Sequence, residues 1–169
     1  KFEILEINED IFDKPKWYDE IFFLLNNFEP DVIFHVGACS DTLETDVNYM
    51  MTRNYEFTRC LSEWTNTMNK KLIYSSSAAN YGTNGIHPSN LYGWSKYVAE
   101  QLVIKNGGIA LRYFNASGAS EEGDIGESHN PETHLIPLVL KAIKGDIPNV
   151  NVFGNTYLKK FESCVNNIT

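Results

Sequence analysis

The sequence has few cysteines and no closely spaced pair of them. Its three cysteines, Cys39, Cys60 and Cys164, are odd in number and form no Cys-x-x-Cys motif, so we expect reduced thiols. There is also no apolar run near the ~18 residues of a membrane-spanning helix. The first residues lack a basic segment followed by an apolar signal core, and we therefore expect a cytoplasmic protein without a membrane partner.

Basic residues are also scarce. The chain has 14 lysines and arginines against 22 aspartates and glutamates, which gives a net charge of -8. Such a charge disfavours nucleic acid and anionic membranes as partners. The sequence contains no internal repeat, and its 169 residues, 43% of them hydrophobic, are sufficient to bury one core.

Short apolar runs alternate with longer segments in which apolar residues recur at helical spacing. This alternation predicts parallel strands joined by right-handed helical crossovers, with ligand sites at the carboxyl ends of the strands. The predicted strands are 2–7, 31–36, 71–76, 108–113 and 150–153, and the predicted helices are 16–28, 46–68, 92–106 and 133–144.

The strongest chemical signal is a serine after one predicted strand and a Tyr-x-x-x-Lys motif in the next helix. Tyr92 and Lys96 are four residues apart, so they share one face of a helix. A cation held beside a tyrosine lowers the pKa of the phenol from ~10 towards neutrality, where it serves as a general base. Ser77 would supply a hydroxyl opposite the phenol. By itself the Tyr-x-x-x-Lys spacing is a weak signal, and it usually means a solvated lysine beside a half-buried ring; the serine at the strand end just upstream makes it a candidate site.

Together these motifs resemble the extended short-chain dehydrogenase/reductase superfamily, and most closely its nucleotide-sugar epimerases. The motifs His35-Val36-Gly37-Ala38, Asn54-Tyr55-Glu56-Phe57-Thr58 and Leu111-Arg112-Tyr113-Phe114-Asn115 match family motifs, with Phe57 in place of a glycine. Residues 123–127, 133–137 and 152–155 look like UDP-glucose 4-epimerases, whereas residues 37–51 look like ADP-glycero-manno-heptose 6-epimerases.

The resemblance implies an α/β fold, a doubly wound parallel sheet of the Rossmann type. The chain has no glycine-rich first turn to hold a pyrophosphate and no acidic residue after it to read the ribose. We therefore expect a sheet that lacks its first βαβ unit, in a fragment or in a degenerate relative. The expected domains are a partial dinucleotide-binding domain over 1–114, and over 115–169 the continuation of the sheet with the start of a substrate-binding region.

The resemblance also implies a cofactor and roles for particular residues. The cofactor is NAD, with NADP as the alternative, and the substrate is a nucleotide sugar. The expected catalytic residues are Ser77, Tyr92 and Lys96. The expected cofactor-binding residues are Val36, Gly37, Ala38, Cys39, Ser40, Asn54, Tyr92 and Lys96. The expected substrate-binding residues are Ser77, Asn115, His134, Leu135 and Phe153, where the histidine replaces an asparagine common in the family.

Some of these expectations have alternatives that the residues leave open. Asn54 falls into an apolar stripe, so it either contacts a ligand or caps neighbouring backbone groups. Arg53 beside it is expected to face water or a phosphate. We expect no metal, because the cluster Glu127, His129, Glu132 and His134 lacks the i, i+4 histidine pair that one helix offers to zinc.

The predicted helices 46–68 and 92–106 carry more apolar surface than one sheet contact requires. The surplus residues are Tyr49, Phe57, Trp64, Tyr97, Val98 and Leu102. This surplus favours a homodimer with a two-fold four-helix interface. The alternative is that the surplus covers neighbouring helices of the same subunit.

Three functions follow from the sequence. The first is NAD-dependent epimerisation of a nucleotide sugar of the UDP-glucose and UDP-galactose type, through a transient 4-keto intermediate, with ADP-heptose 6-epimerisation behind it. The second is a sugar-nucleotide 4,6-dehydratase, although Ala78 and Ala79 stand where its carboxylate pair would follow the strand. The third is a degenerate binding module without catalysis.

Overall fold

The computed structural model of the protein describes residues 7–82, 84–128, 132 and 134–151. The chain divides into two compact units, Lys1–Phe114 and Asn115–Thr169. Of the strands predicted at 2–7 and 150–153, only Ile7, Val150 and Asn151 are described, and none of the three lies in a strand. Within the described residues, no helix has the length and apolar character required to cross a bilayer.

A three-stranded parallel sheet forms the centre of the first unit. Its strands β1, β2 and β5 are adjacent in that order, and β3 pairs with β4 in a short antiparallel hairpin. The sheet confirms the predicted parallel α/β fold. The elements, in chain order, are α1 (Trp17–Phe28), β1 (Val32–His35), α2 (Val47–Met51), α3 (Phe57–Thr67), β2 (Lys71–Ser77), β3 (Tyr81–Gly82), β4 (Gly85–Ile86), α4 (Leu91–Lys105), β5 (Ile109–Tyr113) and α5 (Leu135–Lys144).

The helix predicted over 46–68 has two α-helical parts. Asp46 caps its start, where the side chain accepts a hydrogen bond from the backbone N–H of Tyr49. Between α2 and α3, the segment Thr52–Glu56 is a π-helix. Such segments are rare and occur often at functional sites, because they interrupt the regular hydrogen-bond ladder of a helix.

The core of the first unit lies against one face of the sheet. Ile33 and Leu72 are partners in the strand register, as are Tyr74 and Ala110, so all four side chains belong to that face. Residues of α3 and α4 pack on it, and α1 packs against α3. The buried core residues are Ile11, Ile21, Leu25, Phe57, Cys60, Leu61, Trp64, Leu72, Tyr74, Ala99 and Val103.

The opposite face of the sheet is largely exposed. Alternate residues of β1 and β5 lie on it, since side chains alternate along a strand. Phe34 is 56% exposed and Tyr113 is 49% exposed. The other large exposed residues of this face are Val32, Ile109 and Leu111.

Two aromatic residues that the sequence assigned to a surplus surface are buried inside the unit. Phe57 packs edge-on against Phe12 and His35. Trp64 is buried, and its indole Nε1 donates a 2.8 Å hydrogen bond to Asn26 Oδ1 of α1. For these two side chains the intramolecular alternative is therefore correct, because α1 and the segment before it cover them.

Candidate active site

The end of β2 and the start of α4 bring Ser77 and Tyr92 into neighbouring elements. Ser77 ends β2 and is followed by the 3-10 turn Ala78–Asn80, in which Ser77 Oγ accepts a 3.1 Å hydrogen bond from Ala79 N. A Cβ atom placed on Gly93 would lie 2.5 Å from the carbonyl oxygen of Ala79. The glycine after Tyr92 thus lets the first turn of α4 touch the turn that follows Ser77. Both Ser77 and Tyr92 are half-buried.

Lys96 is buried on α4 and keeps its charge close to Tyr92. Its Nζ donates a 2.9 Å hydrogen bond to the carbonyl oxygen of Ser75 and lies 5.9 Å from the centre of the Tyr92 ring. Burial lowers the pKa of Lys96 to about 8, although the nearby Cys39 acts in the opposite direction. The lysine is therefore mostly protonated at neutral pH and places a cation beside the phenol.

Asn54, in the π-helical segment, joins the loop after β1 to the turn that carries Tyr92. Its side chain is fully buried, and Oδ1 accepts a 2.8 Å hydrogen bond from Cys39 N. Its Nδ2 donates to Cys39 O at 3.0 Å and to Ser95 Oγ at 2.9 Å. Ser95 Oγ in turn donates a 2.7 Å hydrogen bond to the carbonyl oxygen of Tyr92. These hydrogen bonds to Cys39 and Ser95 agree with the alternative in which Asn54 caps neighbouring groups of the protein. Contact between Asn54 and a cofactor stays a prediction.

His35 lies beneath this site and is uncharged at neutral pH. Burial, and then the charge of Lys96, lower the pKa of His35 to about 3. Its Nε2 is 2.9 Å from Thr58 Oγ1, and that hydroxyl donates a 2.6 Å hydrogen bond to Asn54 O. Because the hydroxyl proton is already used, Nε2 carries the proton of the imidazole and donates to Thr58. The histidine thus connects the end of β1 to the π-helical segment.

The loop after β1 contains the other residues expected to bind a cofactor. It lies at the carboxyl end of a parallel strand, which is the usual position of a ligand in such sheets. A Cβ placed on Gly37 would meet no atom within 4 Å. Val36, Gly37, Ala38 and Ser40 are exposed, and Cys39 is half-buried.

The residues expected to bind the substrate belong to the second unit, apart from Ser77. Asn115 and His134 are exposed, and Leu135, the first residue of α5, is 52% exposed. Phe153 lies outside the described residues.

The second unit also contains the acidic and histidine cluster noted in the sequence. Glu127, Glu132 and His134 each place one ligand atom within 4.8 Å of the others, while His129 lies outside the described residues. Glu132 Oε1 accepts hydrogen bonds from His134 N at 2.7 Å and from its ring Nδ1 at 3.0 Å. This local turn accounts for two members of the cluster, and the absence of a metal stays a prediction.

Arg53 lies against aromatic side chains, and its expected contact with water or a phosphate stays a prediction. Its guanidinium carbon is 3.7 Å from the centre of the Tyr49 ring and 5.2 Å from that of Phe12. The arginine therefore packs as a cation on aromatic rings of the same unit.

Sequence reasoning missed four polar residues next to the site. Glu100, Ser76 and Asn80 are buried and bonded to one another, and Arg112 binds the same carboxylate. A signal was present in the sequence, since Glu100 follows Lys96 by four residues on a helix face that also carries core residues.

A parallel α/β sheet with serine, tyrosine and lysine around one strand end is the arrangement implied by the resemblance to short-chain dehydrogenases/reductases. The match to a family is direct: the chain belongs to the NAD dependent epimerase/dehydratase family, which matches residues 13–159. This confirms the predicted superfamily, and the description of the family names NAD as its cofactor.

Several characterised proteins are similar to this chain. The UDP-glucose 4-epimerase of Lactobacillus helveticus is 36% identical over 79% of this chain and 46% of its own. The ADP-L-glycero-D-manno-heptose-6-epimerase of Brachyspira hyodysenteriae is 36% identical over 66% of this chain and 41% of its own. The crystal structure of the Helicobacter pylori ADP-L-glycero-D-manno-heptose-6-epimerase superposes with a TM-score of 0.62 at 28% identity, over 83% of this chain and 46% of that one. The chain thus spans a little under half the length of these relatives.

Proposed function

We propose that the protein containing this chain is an NAD-dependent epimerase of nucleotide sugars of the UDP-glucose and UDP-galactose type. The observation that carries this proposal is the buried, charged Lys96, which lies beside Tyr92 on a helix packed against the Ser77 turn. The similarity to UDP-glucose 4-epimerases supports the substrate class.

The residues of the first unit fit the nicotinamide half of such a cofactor. The loop after β1 is exposed and leaves open space at Gly37. The ammonium group of Lys96 has three N–H donors, and one of them is hydrogen-bonded to Ser75 O. Another could donate to a ribose hydroxyl of the cofactor. NADP is the alternative cofactor. The residues proposed to bind the cofactor are Val36, Gly37, Ala38, Cys39, Ser40, Asn54, Tyr92 and Lys96.

In the proposed mechanism Tyr92 is the general base. Its phenolate oxygen takes the proton from the sugar 4-hydroxyl, while the Ser77 hydroxyl forms a hydrogen bond with the same sugar oxygen. Lys96 stabilises the phenolate through its positive charge. A bound nicotinamide would supply the hydride acceptor and then, once the 4-keto sugar has rotated to present its other face, the hydride donor. Tyr92 then returns the proton, and the reaction has no net change in oxidation state.

The proposal also covers the second unit and the assembly. Asn115, His134, Leu135 and Phe153 would hold the nucleotide sugar, and the dinucleotide would be bound by the unit Lys1–Phe114. The protein would be a homodimer, with the partly exposed side of α4 at the interface. A cytoplasmic location would keep the free thiols of Cys39 and Cys60 reduced.

The second candidate is ADP-heptose 6-epimerisation, which is favoured by the similarity to the Helicobacter pylori enzyme. It would use the same three catalytic residues on a different carbon. A 4,6-dehydratase remains a third alternative, but Ala78 and Ala79 form the turn after β2 and offer no carboxylate. A binding module without catalysis is the fourth.

The test is turnover by the full-length protein and by its Tyr92→Phe variant. UDP-galactose and ADP-glycero-manno-heptose are supplied separately, and the products are separated by chromatography. We expect Tyr92→Phe to lower turnover by ~10²- to 10⁴-fold, because only the ionisable oxygen is lost. Tyr97→Phe removes a hydroxyl from the same helix and should stay within about twofold of the parent.

Other results of the turnover assay would support one of the alternative functions or contradict the proposal. Turnover of the heptose nucleotide alone would support the second candidate, and release of water with a 4-keto-6-deoxy product would support the dehydratase. A folded full-length protein that turns over none of these substrates would contradict the enzyme proposal. Near-parental turnover by a folded Tyr92→Phe variant would remove the role of Tyr92.

A further inference from the structure

Two side chains of α4 hold consecutive residues of β2 just before Ser77. Lys96 Nζ donates to the carbonyl oxygen of Ser75 at 2.9 Å, and Glu100 Oε2 accepts from Ser76 Oγ at 2.6 Å. The lysine and the glutamate are one helical turn apart and share a face of α4. The strand segment that leads to Ser77 is therefore held by the same helix that carries Tyr92.

Glu100 is 1% exposed, yet its carboxylate has several hydrogen-bond donors. Asn80 Nδ2 and Arg112 Nε each donate to Oε2 at 2.9 Å. Burial alone would raise the pKa of Glu100, but the hydrogen bonds from Arg112, Ser76 and Asn80 outweigh it, so the pKa is lowered. The carboxylate is thus charged and saturated with protein donors, and it is enclosed away from any substrate.

The partners of Glu100 lie on both sides of the turn that begins with Ser77. Ser76 precedes it, and Asn80 ends it and also donates to Ser76 Oγ at 3.0 Å. The carbonyl oxygen of Asn80 accepts a 3.0 Å hydrogen bond from His87 N, which fixes the turn from the other direction. A displacement of Glu100 would therefore move both the residue that precedes Ser77 and the residue that ends the short turn after it.

We propose that Glu100 is a positioning residue for catalysis, whose carboxylate orients the Ser77 hydroxyl by holding Ser76 and Asn80. This inference rests on the proposed role of Ser77 and goes beyond it, since Glu100 contacts the reacting groups only through these two residues. The competing explanation is that Glu100 merely pairs with Arg112 to stabilise the fold. If Glu100 positions Ser77, a change at Glu100 lowers kcat per folded molecule. If it only stabilises the fold, the change lowers the folded fraction and leaves kcat per folded molecule unchanged.

The experiment measures kcat and KM of the full-length enzyme for Glu100→Gln, with kcat referred to the folded fraction determined by circular dichroism. We expect kcat to fall by about tenfold and the KM for UDP-galactose to stay within about twofold, since small displacements of a catalytic group reduce the rate strongly. The matched control is Glu63→Gln, which removes a carboxylate paired with Arg59 on the exposed side of α3. It should leave kcat unchanged.

A double-mutant cycle separates positioning from stability. In a Ser77→Ala background, Glu100→Gln should lower kcat by less than twofold, because the hydroxyl that it orients is already absent. If the tenfold loss persists in that background, or if kcat per folded molecule never falls, Glu100 is not a positioning residue for Ser77. If Ser77→Ala itself keeps full turnover, the proposed function of Ser77 fails instead.

A second variant and a second measurement cover the case in which Glu100→Gln does not fold. Ser76→Ala removes one hydroxyl and keeps the pairing of Glu100 with Arg112, and we expect a several-fold lower kcat. Hydrogen exchange of the Ala79 amide, which is bonded to Ser77 Oγ, requires no activity. It should become faster in Ser76→Ala and stay unchanged in Glu63→Gln. Unchanged exchange and kcat in Ser76→Ala would overturn the proposal.

Discussion

At the scale of single residues, the site contains two buried titratable groups, and burial lowers the pKa of both. Lys96 and His35 are both almost fully enclosed, and burial lowers the pKa of each. The lysine remains mostly charged at neutral pH, whereas the histidine is neutral. Each of the two therefore makes stability depend on pH in its own range.

Lys96→Met should change the pH dependence of stability as well as activity. In the folded protein the pKa of Lys96 is about 8, below the ordinary lysine value of 10.5 that applies in the unfolded chain. The folded state therefore holds fewer protons than the unfolded state between these values, so the penalty for burying the charge is complete below pH 8 and is relieved towards pH 10.5. Relative to Lys96→Met, the parent should gain up to ~1.4 kcal/mol of unfolding free energy per pH unit in that range. Urea unfolding at several pH values measures this, and parallel curves would contradict it.

His35→Gln should make the protein less sensitive to acid. The pKa of His35 is about 3 in the folded state, whereas the ordinary histidine value of 6.5 applies in the unfolded chain, so the unfolded state binds a proton first as the pH falls. The parent should lose up to ~1.4 kcal/mol per pH unit between pH 6.5 and 3 through this group, and the variant should not. Glutamine keeps a donor for Thr58. Acid titrations followed by circular dichroism should separate the two proteins, and coincident titrations would exclude this role.

At the scale of elements, the approach of α4 to the Ser77 turn depends on one glycine. Gly93→Ala would place a methyl group 2.5 Å from a backbone oxygen that cannot rotate away. We expect a net loss of ~1–2 kcal/mol of unfolding free energy, since the overlap outweighs the ~1 kcal/mol by which alanine favours a helix. The thermal midpoint of the full-length protein measures the loss.

The matched control is Gly126→Ala, whose new methyl group would lie 3.6 Å from Ala119 Cβ, an ordinary contact. It should stay within ~0.5 kcal/mol of the parent. If Gly93→Ala behaves like this control, α4 and the turn after β2 are less closely fitted than the structure indicates.

The sequence predicts the elements well and their long-range contacts less well. Helix 92–106 is observed as Leu91–Lys105, and Tyr92 and Lys96 share a face of it as expected. Spacing within a helix could not predict that Lys96 bonds to Ser75 of another element. It also could not predict the π-helical segment, because Asn54 at its centre is held by partners 15 and 41 residues away in the chain.

The same segment alters the predicted apolar stripe of that helix. A regular helix over 46–68 would place Val47 and Trp64 in one apolar stripe, but Val47 is 59% exposed, whereas Trp64 is 4% exposed. A π-helical turn contains more residues than an α-helical one, so it rotates α2 relative to α3. Met50 of α2 nevertheless stays buried, so the departure from the stripe is seen at Val47, the first residue of α2.

At the scale of the whole molecule, the remaining apolar surface of α4 predicts a homodimer. Tyr97, Val98 and Leu102 are only half-buried, and Trp94 is 45% exposed. Light scattering of the full-length protein at micromolar concentration should give the mass of two copies. Leu102→Glu should give one copy with an unchanged circular dichroism spectrum, because a charge is costly in an apolar interface.

The control for assembly is Asn27→Glu, which adds a charge at an exposed position of α1. It should leave the mass at two copies. A single-copy mass for the parent protein would count against the dimer, and the half-buried side chains of α4 would then be an ordinary protein surface.

Two of the three tryptophans, Trp64 and Trp94, lie in different surroundings, so their fluorescence can report on two parts of the molecule. Trp64 is enclosed and bonded to Asn26, so its emission reports on the core between α1 and α3. Trp94 is two residues after Tyr92, is 45% exposed and lies edge-on to Tyr97. Its emission therefore responds to events at the first turn of α4, including the arrival of a ligand, while that of Trp64 is expected to change only when the core opens. A single fluorescence spectrum can thus distinguish occupation of the site from loss of the fold.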